Sequence, residues 1–99
     1  MKLIPNTLLA ELPDLYDTEG QDDPLCHIKL FVPSGHWSWY IIELSQENHD
    51  ICYGYVEGLE NELGYFSLKE LESLHSTLGV KVERDTGFKT QTLSKIRLT

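Results

Sequence analysis

The sequence predicts an α+β domain: an antiparallel β-meander of about four strands, packed with a short N-terminal helix and one central helix over about residues 68–78. Three observations predict it. Residues 25–66 contain runs rich in aromatic and β-branched residues, broken by Gly, Pro, Asn and Asp. Leu68, Leu71, Leu74 and Leu78 recur at helical spacing, between Ser67 and Gly79. The helical patterns flank the strand run instead of alternating with it, which favours a meander over βαβ units.

Each element has a local reason. Residues 5–12 read as a short helix, with Leu8, Leu9 and Leu12 on one face and Pro13 ending it. Residues 14–24 form a polar connection containing Tyr16, Gly20 and an Asp-Asp-Pro turn. Its length suits either an ordered functional loop or a loose acidic one. Residues 25–33 alternate as a strand, with Cys26, Ile28, Leu30 and Val32 on one face. Residues 36–44 form a central strand. Trp37, Trp39 and Ile41 share one face; Ser38, Tyr40, Ile42 and Leu44 share the other. Residues 51–57 form the next strand, in which Gly54 marks a bulge or the close approach of another backbone. Leu63 to Phe66 add a short fourth strand. Ser67 and Glu70 read as a capping box, and Gly79 ends the helix. Val80 to Arg84 read as a strand with Val80 and Val82 inward, followed by a turn at 85–87. Thr92, Leu93, Ile96 and Leu98 fit a short terminal helix or an extended tail.

At 99 residues the chain is one domain, residues 1–99. Hydrophobic residues make up 40% and charged residues 24%, an ordinary globular balance that excludes global disorder. The sequence has no apolar run long enough to span a bilayer and no signal-peptide pattern, so a cytoplasmic protein with no membrane partner is expected. Its two cysteines, Cys26 and Cys52, make no disulfide framework and read as core residues. Sixteen acidic residues against 8 basic give a formal charge of −8, which disfavours direct nucleic-acid binding, since phosphate contacts need Lys and Arg.

Motifs for phosphate loops, zinc proteases, Cys-x-x-Cys redox centres and nucleophile elbows are absent from the sequence. No cofactor, metal site or catalytic residue is assigned. Glu83 and Asp85 share one side of an extended segment with Arg84 opposite. That corner is a structural ion pair or, in a small metal-dependent hydrolase or nuclease, an acid–base pair. The excess of aromatics, including Trp37, Trp39 and Tyr65, comes with acidic and not basic neighbours, which points to a protein partner.

Several segments together resemble a known family. They are Asp23-Pro24, Lys29 to Pro33, Trp37-Ser-Trp-Tyr40 with Glu43, Tyr53-Gly-Tyr55 with Gly58, Glu62 to Leu71, and Val82-Glu-Arg-Asp85 with Phe88. The family is a small bacterial domain of unassigned function, encoded on plasmids, integrative elements and phages. The resemblance spans almost the whole chain. It implies a mobile-element setting and supplies no catalytic residue.

These readings give a first expectation: a non-enzymatic acidic accessory or inhibitor protein of a mobile genetic element. It would bind a host-defence or nucleic-acid-processing protein with a basic surface, in the manner of an anti-CRISPR or anti-restriction protein that imitates nucleic acid. The alternatives are a generic protein-interaction module or dimer, and the hydrolase using Glu83 and Asp85. The interaction residues expected are Asp22, Asp23, Trp37, Trp39, Glu57, Glu60, Glu62, Tyr65, Glu83, Arg84 and Asp85, on a monomer or dimer.

Overall fold

Side-chain alternation between residues 28 and 67 builds one twisted sheet with two apolar faces. In the computed structural model residues 3–98 are described; Met1, Lys2 and Thr99, which the domain assignment includes, lie outside them. The main strands are β2 (Ile28–Phe31), β3 (Ser38–Leu44), β4 (Ile51–Glu57) and β5 (Asn61–Ser67), joined as a meander. A short β6 (Glu83–Arg84) returns after the central helix and pairs with β2, so the sheet order is β5-β4-β3-β2-β6, antiparallel throughout. A separate two-residue ladder joins β1 (Leu25–Cys26) to β7 (Gln91–Thr92). The α+β class and the meander therefore stand, and the strand expected over Val80 to Arg84 is confined to Glu83–Arg84 at the β2 edge.

The helices cover the sheet on opposite sides. Helices α1 (Asn6–Leu9) and α2 (Leu68–Leu78) bury Leu9, Leu68 and Leu71 with Leu30, Trp39 and Ile41 on the first face. Helix α3 (Leu93–Arg97) buries Leu93 and Ile96 against Tyr40, Ile42 and Tyr55 on the second. The cysteines take one core each, Cys52 in the first and Cys26 in the second, both without solvent exposure. Burial pushes each thiol up to about 12.

Helix α2 occupies the span expected for it. The Ser67 hydroxyl accepts the Glu70 N–H at 3.2 Å, and Gly79 takes a left-handed conformation (φ 70°) that closes the last turn. Asp50 adds a second cap from the neighbouring loop: its carboxylate accepts the Lys69 N–H and the Ser67 hydroxyl, each at 2.8 Å. The leucine stripe is only partly used. Leu68 and Leu71 are buried, whereas Leu78 is 71% exposed because the helix runs past the apolar surface that covers its first turns.

The sequence expectation for β3 needs one correction. The pairing of β3 with β4 shifts between Ile41 and Glu43, so one extra residue is inserted there. Strict alternation would put Glu43 with Trp39 and Ile41, and Leu44 with Tyr40. The bulge reverses this: Leu44 joins the first core opposite Cys52, and Glu43 lies opposite Tyr53 on the second face. Gly54 makes the bulge possible. A Cβ placed there would lie 1.9 Å from the Tyr40 carbonyl oxygen.

Asp23 docks α3. Its carboxylate accepts the Ser94 N–H at 2.8 Å and the Ser94 hydroxyl at 2.7 Å.

Two predictions follow from this packing. Gly54→Ala should cost about 3 kcal/mol in urea denaturation, because backbone and not a flexible side chain would have to yield. Gly64→Ala, with open space at its Cβ, should stay within about 0.5 kcal/mol of the parent. The Ser94 hydrogen bonds also hold the Asp23 carboxyl below its ordinary value of 3.8. Its stabilising contribution is therefore complete above 3.8 and is lost as pH falls through the lower folded value. Denaturation midpoints measured across the acid range should fall less steeply in Asp23→Asn than in the parent.

Candidate functional site

The bulge leaves a carboxylate on an otherwise apolar face. Glu43 is only 3% exposed, and a buried charge is costly unless hydrogen-bonded. The connecting loop supplies the donors. The N–H groups of Tyr16 and Thr18 each reach a Glu43 oxygen at 2.8 Å, and the Thr18 hydroxyl donates to Oε2 as well. Tyr16 takes a left-handed conformation (φ 73°), a strained choice for a non-glycine residue that the Glu43 contact compensates.

A second carboxylate fixes the entry to this loop. Asp14 Oδ1 accepts the N–H groups of Leu15 at 2.8 Å and Gln46 at 2.9 Å, and the Leu44 N–H donates to the Pro13 carbonyl at 2.8 Å. Successive turns then carry the chain through Glu19 and Gln21. Of the two expectations for residues 14–24, the hydrogen bonding matches the ordered loop.

Between this loop, the β4–β5 edge and α3 lies a cleft of about 380 Å³. Tyr16, Tyr53 and Tyr65 line it, with Glu19 and Asp22 on the loop side and Arg97 on the helix side. Tyr53 and Tyr65 are cross-strand partners whose ring centroids are 5.1 Å apart. Tyr16 and Tyr65 line the cleft together, and both side chains remain largely exposed, at 64% and 54%. Desolvation, with Tyr16 and Glu43 close by, raises the Tyr65 hydroxyl above its ordinary 10.0, so the phenol stays neutral. Arg97 lies over the Tyr55 ring at 5.0 Å, so this surface already holds one cation on an aromatic face.

The expected interaction residues divide into five places. Asp22 and Tyr65 meet in this cleft, and Asp23 is committed to Ser94. Trp37 and Trp39 stack at 5.8 Å on the first face. Trp39 is buried there, while the Trp37 ring lies where a Gly58 side chain would have to go. Glu57 accepts the Tyr40 hydroxyl at 3.2 Å, and Glu60 and Glu62 are exposed at the β5 end. At the opposite sheet edge, Glu83 pairs with Lys81 at 3.7 Å and Asp85 accepts the Gly87 N–H at 2.9 Å, closing a turn. Arg84 lines a separate polar cleft with Leu8 and His27. The Glu83–Arg84–Asp85 corner thus has local structural work. Among the described residues no three His, Cys, Asp or Glu side chains converge as a metal site, and no helix is long and apolar enough to cross a membrane.

Tyr16, Glu19, Glu43, Tyr53 and Arg97 are site residues that sequence reasoning did not single out as interaction residues. One signal was available: Glu43 is the only charged residue in the run Trp39 to Leu44.

Glu43→Gln tests the latch. A carboxamide offers one acceptor where two oxygens take three donors, so the variant should lose about 3 kcal/mol. Hydrogen exchange at the Tyr16 and Thr18 amides should accelerate beyond the change seen at β4 amides.

A family model described as "Protein of unknown function (DUF2958)" matches residues 3–96. No curated protein and no solved structure matches the chain. The chain belongs to that family of unknown function.

Proposed function

We propose that this chain is a non-enzymatic binding protein whose partner is a protein with a basic, nucleic-acid-binding surface. We place the contact at the tyrosine cleft, where a Lys or Arg side chain of the partner enters beside Tyr16 and Tyr65. The observation that carries the reading is the latch: Glu43 holds an acidic loop in one position against two exposed tyrosines. Exposed tyrosines give large contact area at low entropic cost, and neighbouring carboxylates attract a cation to their ring faces.

The wider charge pattern supports the same partner. Glu11, Asp14, Asp17, Glu19 and Asp22 are all exposed along the N-terminal segment, as are Glu47, Glu60 and Glu62 on the sheet side. Glu43 is withdrawn from that surface and serves the fold. In the mobile-element setting that the sequence resemblance implies, the partner would be a cytoplasmic host-defence or nucleic-acid-processing complex. Surface carboxylates would then stand where phosphates otherwise bind. A second reading rests on Trp37, 41% exposed beside a groove of about 350 Å³ lined by Val32, Leu74 and Val80. That surface suits an apolar partner.

An oligoarginine peptide distinguishes the two. Titration calorimetry should show binding that weakens as salt is added. Tyr65→Ala should weaken it about tenfold, the worth of one partly desolvated cation–π contact, and the Glu19→Lys/Asp22→Lys double variant should weaken it further. Trp37→Ala should leave it unchanged. Binding that ignores salt and the cleft substitutions, but falls with Trp37→Ala, overturns the proposal in favour of the apolar surface. Absence of binding at low salt overturns it outright.

A further inference from the structure

Among the described residues, strand β5 has β4 on one side and no strand on the other. It is seven residues long and pairs with β4 along its whole length without a register shift. A regular edge of this kind is a template for another strand, and proteins usually guard it with Lys, Pro, a bulge or a short length. Asn61 to Ser67 contains no Lys or Pro, and its one charge is Glu62. The opposite edge, β6, spans two residues only.

Gly64 sits at the middle of β5, and the fold gives no reason for it. Gly54 is required by the Tyr40 carbonyl and Gly58 by the Trp37 ring. Gly79 needs its left-handed conformation. At Gly64 the φ is ordinary and a Cβ would meet nothing within 4 Å. Glycine in a strand interior weakens the strand, and here it leaves the middle of the edge without a side chain. Flanking it on the second face, Leu63 and Tyr65 are 37% and 54% exposed.

We propose that β5 is a homodimerisation edge: two copies pair antiparallel about a two-fold axis at Gly64, joining their sheets into one. A second copy is the occupant because it sets the exposed Leu63 and Tyr65 of each strand against each other and keeps the one charge of each, Glu62, apart. Only a register centred on Gly64 uses all seven residues of both strands. It places Leu63 opposite the partner's Tyr65, and Tyr65 opposite the partner's Leu63, on the same face. It places Glu62 opposite the partner's Phe66, so the two carboxylates do not meet. Such an interface is isologous and closes on itself, leaving no free edge on that side. The partner's Leu63 then extends the wall of the tyrosine cleft. This inference does not rest on the cation-binding reading, since it uses only the strand edge.

Two measurements test it. Sedimentation of the full chain should show concentration-dependent conversion to twice the monomer mass, and Leu63→Lys should abolish it. Gly64→Cys has room for its side chain in the monomer, and the dimer brings the two new thiols to a distance a disulfide can span. Mild oxidation should therefore give a covalent dimer with Gly64→Cys and none with Ser76→Cys on the exposed face of α2. Cys26 and Cys52 stay silent because both are buried. A wild-type chain that remains monomeric to its solubility limit overturns the proposal. So does a dimer that survives Leu63→Lys, or Gly64→Cys cross-linking no faster than Ser76→Cys. Each result is independent of oligoarginine binding, so either proposal can fail alone.

Discussion

One inserted residue in β3 decides how the rest of the molecule is arranged. Without the bulge at Ile42, Glu43 would enter the first core, among Trp39, Ile41 and the leucines of α1 and α2. With it, the carboxylate emerges opposite Tyr53 and within reach of the N-terminal loop. The bulge depends in turn on Gly54, because any side chain there would strike the Tyr40 carbonyl. A glycine in one strand thus places an acid in the next, and the acid places a loop distant in sequence.

The carboxylate is a costly way to seal a core. An apolar side chain at position 43 would pack the second face more cheaply, since burying a charge carries a desolvation penalty that its hydrogen bonds only offset. What the carboxylate supplies is uniqueness. Its two oxygens accept three donors from Tyr16 and Thr18, and a left-handed Tyr16 is tolerated only while those contacts hold. The loop therefore has one low-energy arrangement, and Tyr16 has one position relative to Tyr65. In the binding role proposed above, aromatics fixed in this way would avoid the ordering cost that mobile ones carry.

Most of the fold was legible because it follows from period and caps. Ser67, the leucine spacing and Gly79 give α2 its boundaries, and residues 51–57 alternate as a strand from end to end. Gly54 was readable as a bulge marker, since only a close backbone approach explains glycine in so aromatic a strand. Its consequence was not readable. The bulge lies on β3, the partner strand, and nothing in the local pattern of Ile41-Ile42-Glu43-Leu44 says where alternation breaks. Asp50 as a cap for α2, and Asp23 as the anchor of α3, were hidden for a related reason. Each joins groups far apart in sequence, 19 and 71 residues respectively. The carboxylates of the Glu83–Asp85 corner show the converse: Asp85 closes its own turn onto Gly87, a local role that a turn-forming Asp-Thr-Gly already suggests.

The same reasoning separates the acidic residues by what they do. A formal charge of −8 invites reading the whole surface as one field. Several of its carboxylates have a structural role. Glu43 is buried under the loop, Asp14 and Asp23 hold backbone N–H groups, Asp50 caps a helix, and Glu72 accepts the Leu3 N–H at 3.0 Å. These acids are spent on the short, irregular segments that a 99-residue chain cannot secure by apolar burial alone. Those left to solvent on the loop, Glu19 and Asp22, sit on the stretch that Glu43 and Asp14 fix. The two groups are therefore coupled: the hydrogen-bonded carboxylates determine where the others stand.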